Sequence, residues 1–301
     1  MEKQISPSGS RQYLINIQKW RSIVGLIACS ITFGVSLFSM ASNLIYYSVQ
    51  KWELADFFRY FTTLSNMLTT LSAGFIIPYA IDGIRKKRFV FPHWLSMMHY
   101  SGTIATTLTF VFAVVFILPF DPEFAIGQNN LYFHVVCPIA ILISFEFVES
   151  GRLFSRKDSL ICLIPFVSYS LLYLVMVVFI DEAHGGWEDL YMLNTFVPAY
   201  VSLPLVWILA YLVAFLIRKS FNHFLTKRRE KMLSTWDPAL EPVEINIEIY
   251  GLGRYYGRIC DKADSSIPYD VIETVAEYYS LDPETLLKVY IKGLMDGLTK
   301  G

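Results

Sequence analysis

Residues 22–48 read "SIVGLIACSITFGVSLFSMASNLIYYS", an apolar run without a charged side chain, bounded upstream by Lys19 and Arg21. At 1.5 Å per residue, a helix over such a run crosses a ~30 Å hydrocarbon layer with some tilt. Hydrocarbon offers no water to backbone N–H and C=O groups, so the expected form is a helix, which pairs them internally. The run extends to about Tyr47, well past the ~7–15-residue apolar core of a cleaved signal peptide, and is expected to remain as a spanning helix.

Five more runs, near 58–82, 95–120, 130–150, 159–180 and 194–218, repeat the pattern. The chain of 301 residues is 54% hydrophobic and 16% aromatic, with its apolar residues gathered into these runs, which marks a multi-pass membrane protein and excludes an ordinary soluble enzyme. Net charge is −1, and Cys29, Cys137, Cys162 and Cys260 stand far apart, so neither a disulfide framework nor a cysteine-based zinc site is suggested. They read as buried thiols.

Basic residues set the expected orientation. The N-terminal arm, "IRKKRF" after the second run, "GRLFSRK" after the fourth and "RKSFNHFLTKRREK" after the sixth are rich in Lys and Arg, whereas the opposite loops hold only Lys51 and Arg59. By the positive-inside rule both termini are expected in the cytoplasm. The expected organisation is a cytoplasmic arm (1–20), a six-helix transmembrane domain (21–218) and a cytoplasmic C-terminal tail (219–301), in a cell membrane or endomembrane. The basic run "TKRREK" suits anionic lipid better than nucleic acid.

The tail reads as a small α+β domain. In "VEINIEIY", Val243, Ile245, Ile247 and Ile249 alternate with polar residues at the period of a half-buried strand, and "RYYGRI" after Gly251 and Gly253 is its expected hairpin partner. "GLGRYYG" lacks a helix directly behind it and reads as a turn, not a phosphate loop. Two helices are expected next, one near 268–280 and one opened by Asp282 as cap and Pro283 as first helical residue, with Leu286, Leu287, Tyr290 and Leu294 as its apolar stripe. A protein or ligand partner of this tail is conceivable.

Polar residues inside the apolar runs carry the functional signal. In "FRYFTTLSN" (58–66), Thr62, Ser65, Asn66 and Thr69 fall at i, i+3, i+4 and i+7, one stripe down a helix that must face other helices or water. Hydrogen bonds to preceding carbonyls and helix packing are the structural alternative. In "LYFHVVCP", His134 lies ~6 Å into the fourth run, the depth of Thr62 in the second. A hydroxyl and a neutral imidazole at one depth suggest a nucleophile and its base. Ser65 and Asn66 are candidate oxyanion donors, and Arg59, one turn above, is a candidate anchor for an acidic group or a snorkelling interface residue. Glu146 and Glu149 lie too deep to orient the imidazole. His99, Ser101, Thr103, Thr106 and Thr107 read as helix packing. His184, with Asp181, Glu188 and Asp189, gives with His134 only two histidines on that side, short of the usual catalytic zinc set, so neither metal nor cofactor is expected.

Six runs, "RYFTTLSN" opening the second and "HVVCP" opening the fourth make residues 20–218 resemble the androgen-induced, FAR-type six-transmembrane family and its microbial relatives. That resemblance implies an intramembrane threonine hydrolase of fatty acid esters of hydroxy fatty acids, with Thr62 matching the threonine position, aligned on "YFT", and His134 the histidine. Thr63 would point about 100° away from the Thr62 stripe. The expected function is therefore a lipid ester hydrolase, with membrane lipids or fatty-acyl esters as partners. The alternatives are a non-enzymatic lipid-binding or transport protein using the same stripe as a headgroup path, and a membrane-anchored scaffold or sensor acting through its tail.

Overall fold

The computed structural model describes residues 9–50, 57–86, 92–127, 129–148, 153–180, 182–191, 193–194, 197–233, 242–259 and 269–298. Helix α1 spans Gly9–Val49, α2 Phe61–Lys86 and α3 His93–Val111, the last widening into a π-turn at Phe112–Ile117. A short α4, Pro122–Ile126, follows. A second π-turn, Tyr132–Val136, leads into α5, Cys137–Val148. Helices α6, Arg156–Cys162, and α7, Ile164–Leu174, run on into a third π-turn at Val175–Phe179. Helix α8 covers Ala199–Leu233, and α9, Pro242–Ile259, α10, Tyr269–Tyr278, and α11, Pro283–Leu298, form the tail.

Five helical stretches among the described residues are long and apolar enough to cross a membrane: Lys19–Val49, Phe61–Lys86, His93–Ile117, Arg156–Phe179 and Ala199–Arg228. They fit a multi-pass membrane protein. The expectation of six is corrected to five, because among the described residues the apolar helical stretch at 130–150, Tyr132–Glu146, is too short to count with the other five. At 1.5 Å per residue that is about 22 Å, short of the ~30 Å hydrocarbon thickness. The placement of both termini in the cytoplasm, drawn from the basic residues, needs an even number of crossings, which five do not give. Helix α8 does not stop at residue 218 but carries the basic stretch on to Leu233.

The α+β tail is also corrected. No strand occurs among the described residues, and "VEINIEIY" is helical within α9. Ile245, Ile249, Leu252 and Tyr256 are buried at helical spacing, while Val243 and Ile247 are 67% and 57% exposed. Eight residues satisfied both periods, and the packing partner chose between them. A Cβ on Gly253 would strike the carbonyl oxygen of Tyr290, and one on Gly293 that of Tyr250, so α9 and α11 cross with backbones in contact. Only helices meeting at glycines allow that approach. The two later helices form as expected: Asp282 caps α11 by accepting from Thr285 N at 2.9 Å, and Leu286 and Tyr290 are buried.

In the membrane part, aromatic rings form the largest core, with Phe61, Tyr100, Phe145, Phe166, Tyr169 and Phe221 buried together. Small residues let helices close up. Gly102 of α3 lies so near Thr69 of α2 that an added Cβ would stand 3.2 Å from its hydroxyl. The polar segment of α3 is largely absorbed by packing, as Ser101 donates to Cys162 O at 2.8 Å and Thr103 to His99 O at 2.8 Å. Two of the π-turns, Phe112–Ile117 and Tyr132–Val136, contribute residues to the cavities at the start of α2. π-Turns inside helices are rare and cluster at functional sites.

Candidate functional site

Thr62 stands on the first turn of α2, whose start is pinned from two sides. The Phe61 N–H donates to the Tyr191 hydroxyl at 2.9 Å, and the Tyr169 hydroxyl donates to the Arg59 carbonyl at 2.6 Å. The first of these bonds occupies an N–H that a helix N-terminus leaves without an intrahelical partner.

His134, 5% exposed in the second π-turn, meets Thr62 across the bundle, with Nε2 3.4 Å from Thr62 Oγ1. Its other nitrogen, Nδ1, is 2.6 Å from the carbonyl of Ala125. A carbonyl only accepts, so Nδ1 carries the proton and Nε2 presents its lone pair to the threonine hydroxyl. The orienting group thus comes from α4, which Asp121 starts by accepting from Phe124 N at 2.9 Å, with Pro122 at its first position. No carboxylate takes this part. Glu146 lies at the far end of α5, where its carbonyl accepts from Arg228, and Glu149 lies outside the described residues.

Two cavities adjoin at this pair. A narrow slot of about 40 Å³ is lined by Phe61, Phe112, Phe166, Tyr169, Tyr173 and Val206. A vestibule of about 410 Å³ is lined by Asn43, Tyr47, Tyr60, Asp121, Glu123 and Asn129, among others. Thr62, His134, Ile117 and Tyr191 border both. Thr62 and His134 therefore stand on a boundary between an aromatic slot and a polar chamber. Thr63 faces the vestibule alone.

The other sequence-derived site residues lie elsewhere. Ser65 donates to the Thr62 carbonyl at 3.0 Å and lies 3.1 Å from Thr109 Oγ1, while Asn66 Nδ2 donates to the same carbonyl at 2.8 Å. Both are buried, and neither borders these two cavities. The stripe that contains them is real, but below Thr62 it is consumed by helix-to-helix and back-to-carbonyl bonding. Arg59 also borders neither cavity, and its guanidinium lies 5.8 Å from the Tyr60 ring centre. Among the described residues no three His, Cys, Asp or Glu side chains converge on a metal position. Asp189 is engaged by the Tyr173 hydroxyl at 2.8 Å and by the amides of Leu193 and Asn194, and Asp181 lies outside the described residues.

Sequence reasoning missed two contributors. The Ala125 carbonyl was signalled by "DPEFA", an N-cap and a proline opening a short helix. Tyr191 carried no signal, being one aromatic residue in a loop. Burial pushes its phenol above the ordinary tyrosine value, opposed by hydrogen bonding to Phe61, Tyr169 and Thr62. Comparison with protein-family models, curated proteins and solved structures returns no match. The chemistry of the site rests on its own geometry.

Proposed function

We propose that the protein is an integral membrane hydrolase of lipid esters, with Thr62 as nucleophile and His134 as base. A threonine hydroxyl is a poor nucleophile until a base takes its proton. The observation that carries the reading is the 3.4 Å approach of Thr62 Oγ1 to His134 Nε2, on an imidazole whose tautomer the Ala125 carbonyl fixes. A nucleophile–base contact of this length tightens as substrate binds. The resemblance of "RYFTTLSN" and "HVVCP" to the threonine hydrolases points the same way.

Thr62 Oγ bonds to the ester carbonyl carbon as its proton passes to Nε2, and the carbonyl π pair moves onto oxygen. Collapse expels the alcohol, which leaves with the proton from His134. Water then attacks the acyl-threonine carbonyl as its proton passes to His134, and collapse breaks the bond to Thr62 Oγ, which takes that proton back as the carboxylic acid is released. The vestibule falls within the 300–1,000 Å³ range of ligand pockets and admits the ester with its leaving group, whereas the slot receives only the first part of the acyl chain.

The test is covalent labelling of the reconstituted protein with a fluorophosphonate, alongside ester turnover. Both are expected in the wild type and lost in Thr62→Ala and in His134→Ala. Labelling retained by either variant defeats the pair, and ligand binding without any labelling favours the lipid-binding alternative.

A further inference from the structure

The cavity boundary holds a third polar group. The Tyr191 hydroxyl oxygen accepts the N–H of Phe61, the first residue of α2, and lies within interaction range of the Thr62 side chain and backbone. Its backbone is held as well, since Tyr191 N donates to the Tyr173 hydroxyl at 3.1 Å, which donates onward to Asp189. The phenol is thus a fixed group, anchored at both ends and open to both cavities.

Resting on the hydrolase reading, we propose that Tyr191 is the catalytic hydrogen-bond donor to the oxyanion formed when Thr62 attacks. The position needs a donor aimed at an oxygen close to Thr62 and held before the reaction begins. Ser65 and Asn66 donate to the Thr62 carbonyl and border neither cavity. The Tyr191 oxygen accepts the Phe61 amide, and its proton, which rests among the neighbouring Tyr169 and Thr62 oxygens, turns to the oxyanion as charge develops there; a hydroxyl that accepts a bond donates more strongly. The positive end of the α2 dipole beside it favours charge developing there. As the Thr62–carbon bond forms and the carbonyl pair moves to oxygen, the Tyr191 proton is shared with that oxygen and stays on the phenol, while the threonine proton goes to His134. No further reactant is required.

The experiment compares wild type with Tyr191→Phe in the full chain reconstituted in lipid nanodiscs, using 4-nitrophenyl butyrate for turnover and a fluorophosphonate for the labelling rate. The expected result is a fall in kcat of about 10²-fold with KM changed less than threefold. The labelling rate falls in parallel. An unchanged kcat, or a raised KM at constant kcat, overturns the proposal and leaves Tyr191 a packing residue. A wild type that neither labels nor turns over overturns the hydrolase reading itself, so the two failures are distinct. If Tyr191→Phe does not fold, 3-fluorotyrosine at this position decides. It is expected to keep kcat within threefold while moving the alkaline limb of the pH profile to lower pH, and an unmoved limb overturns the proposal.

Discussion

His134 donates from Nδ1 to the Ala125 carbonyl at 2.6 Å, so a five-residue helix in a loop determines which nitrogen faces Thr62. Where many hydrolytic sites orient a histidine with a carboxylate, here a buried peptide group does so without placing a second charge in an apolar site. A dipole stabilises an imidazolium less than an ionised carboxylate does. The arrangement therefore leans on stable placement of α4.

That dependence is testable at Asp121. Asp121→Ala removes the side-chain bond to Phe124 N and loosens the turn that presents Ala125. Turnover is expected to fall on the order of tenfold, whereas Asp121→Asn, which still caps, is expected to remain near wild type. Steady-state kinetics of the three proteins decides, and equal loss in Ala and Asn would point instead to a role for the carboxylate charge in the vestibule.

On the proposed hydrolase reading, the slot is expected to set acyl length. Phe112 lines it, and Phe112→Ala enlarges it by most of a ring. The ratio of kcat/KM for a dodecanoate ester to that for a butyrate ester is expected to rise at least tenfold, since each accommodated methylene is worth a measurable part of 1–3 kcal/mol. A ratio unchanged by the substitution would place the acyl chain in the vestibule.

In the tail, Gly253→Ala and Gly293→Ala each push a methyl group into a backbone carbonyl of the facing helix. The expected cost is about 1–3 kcal/mol or more, because backbone cannot yield as a flexible side chain does. Hydrogen exchange of the intact protein should show protection lost across 242–298 and kept in α2 and α3. Loss spread equally through the membrane helices would show the two parts to be one cooperative unit.

Two tail groups make stability fall at both ends of the pH scale. Tyr250 donates to Asp296 at 2.6 Å, and this bond, foremost among the causes, raises the Tyr250 phenol above its ordinary value. Its folded state holds the proton more tightly, so the contribution is complete below about pH 10 and disappears as pH rises through the folded value. Asp282 behaves oppositely. Hydrogen bonds from the Thr285 side chain and then its amide lower the carboxyl, so the cap is complete above about pH 4 and lost as pH falls through the depressed value. Tyr250→Phe is expected to abolish the alkaline loss of tail protection and leave the acid loss intact. An alkaline limb that survives in Tyr250→Phe would assign it to another group.

The membrane character of the chain was written in local composition, because a long apolar run such as 22–48 can satisfy its backbone in hydrocarbon only by becoming a helix. The same locality made Asp282 and Pro283 legible as the opening of α11. Local pattern also brought Thr62 and His134 forward, since polar groups in apolar runs are costly enough to stand out singly. Tertiary structure decided what no short window contains. It made "VEINIEIY" a helix through glycine contacts with a segment some forty residues later, and set the Ser65 hydroxyl against Thr109 of the neighbouring helix. It also brought Ala125 and Tyr191 to the reactive pair, because hydrogen-bond partners are chosen by proximity in space, and a peptide carbonyl or a lone loop tyrosine looks the same in sequence wherever it ends up.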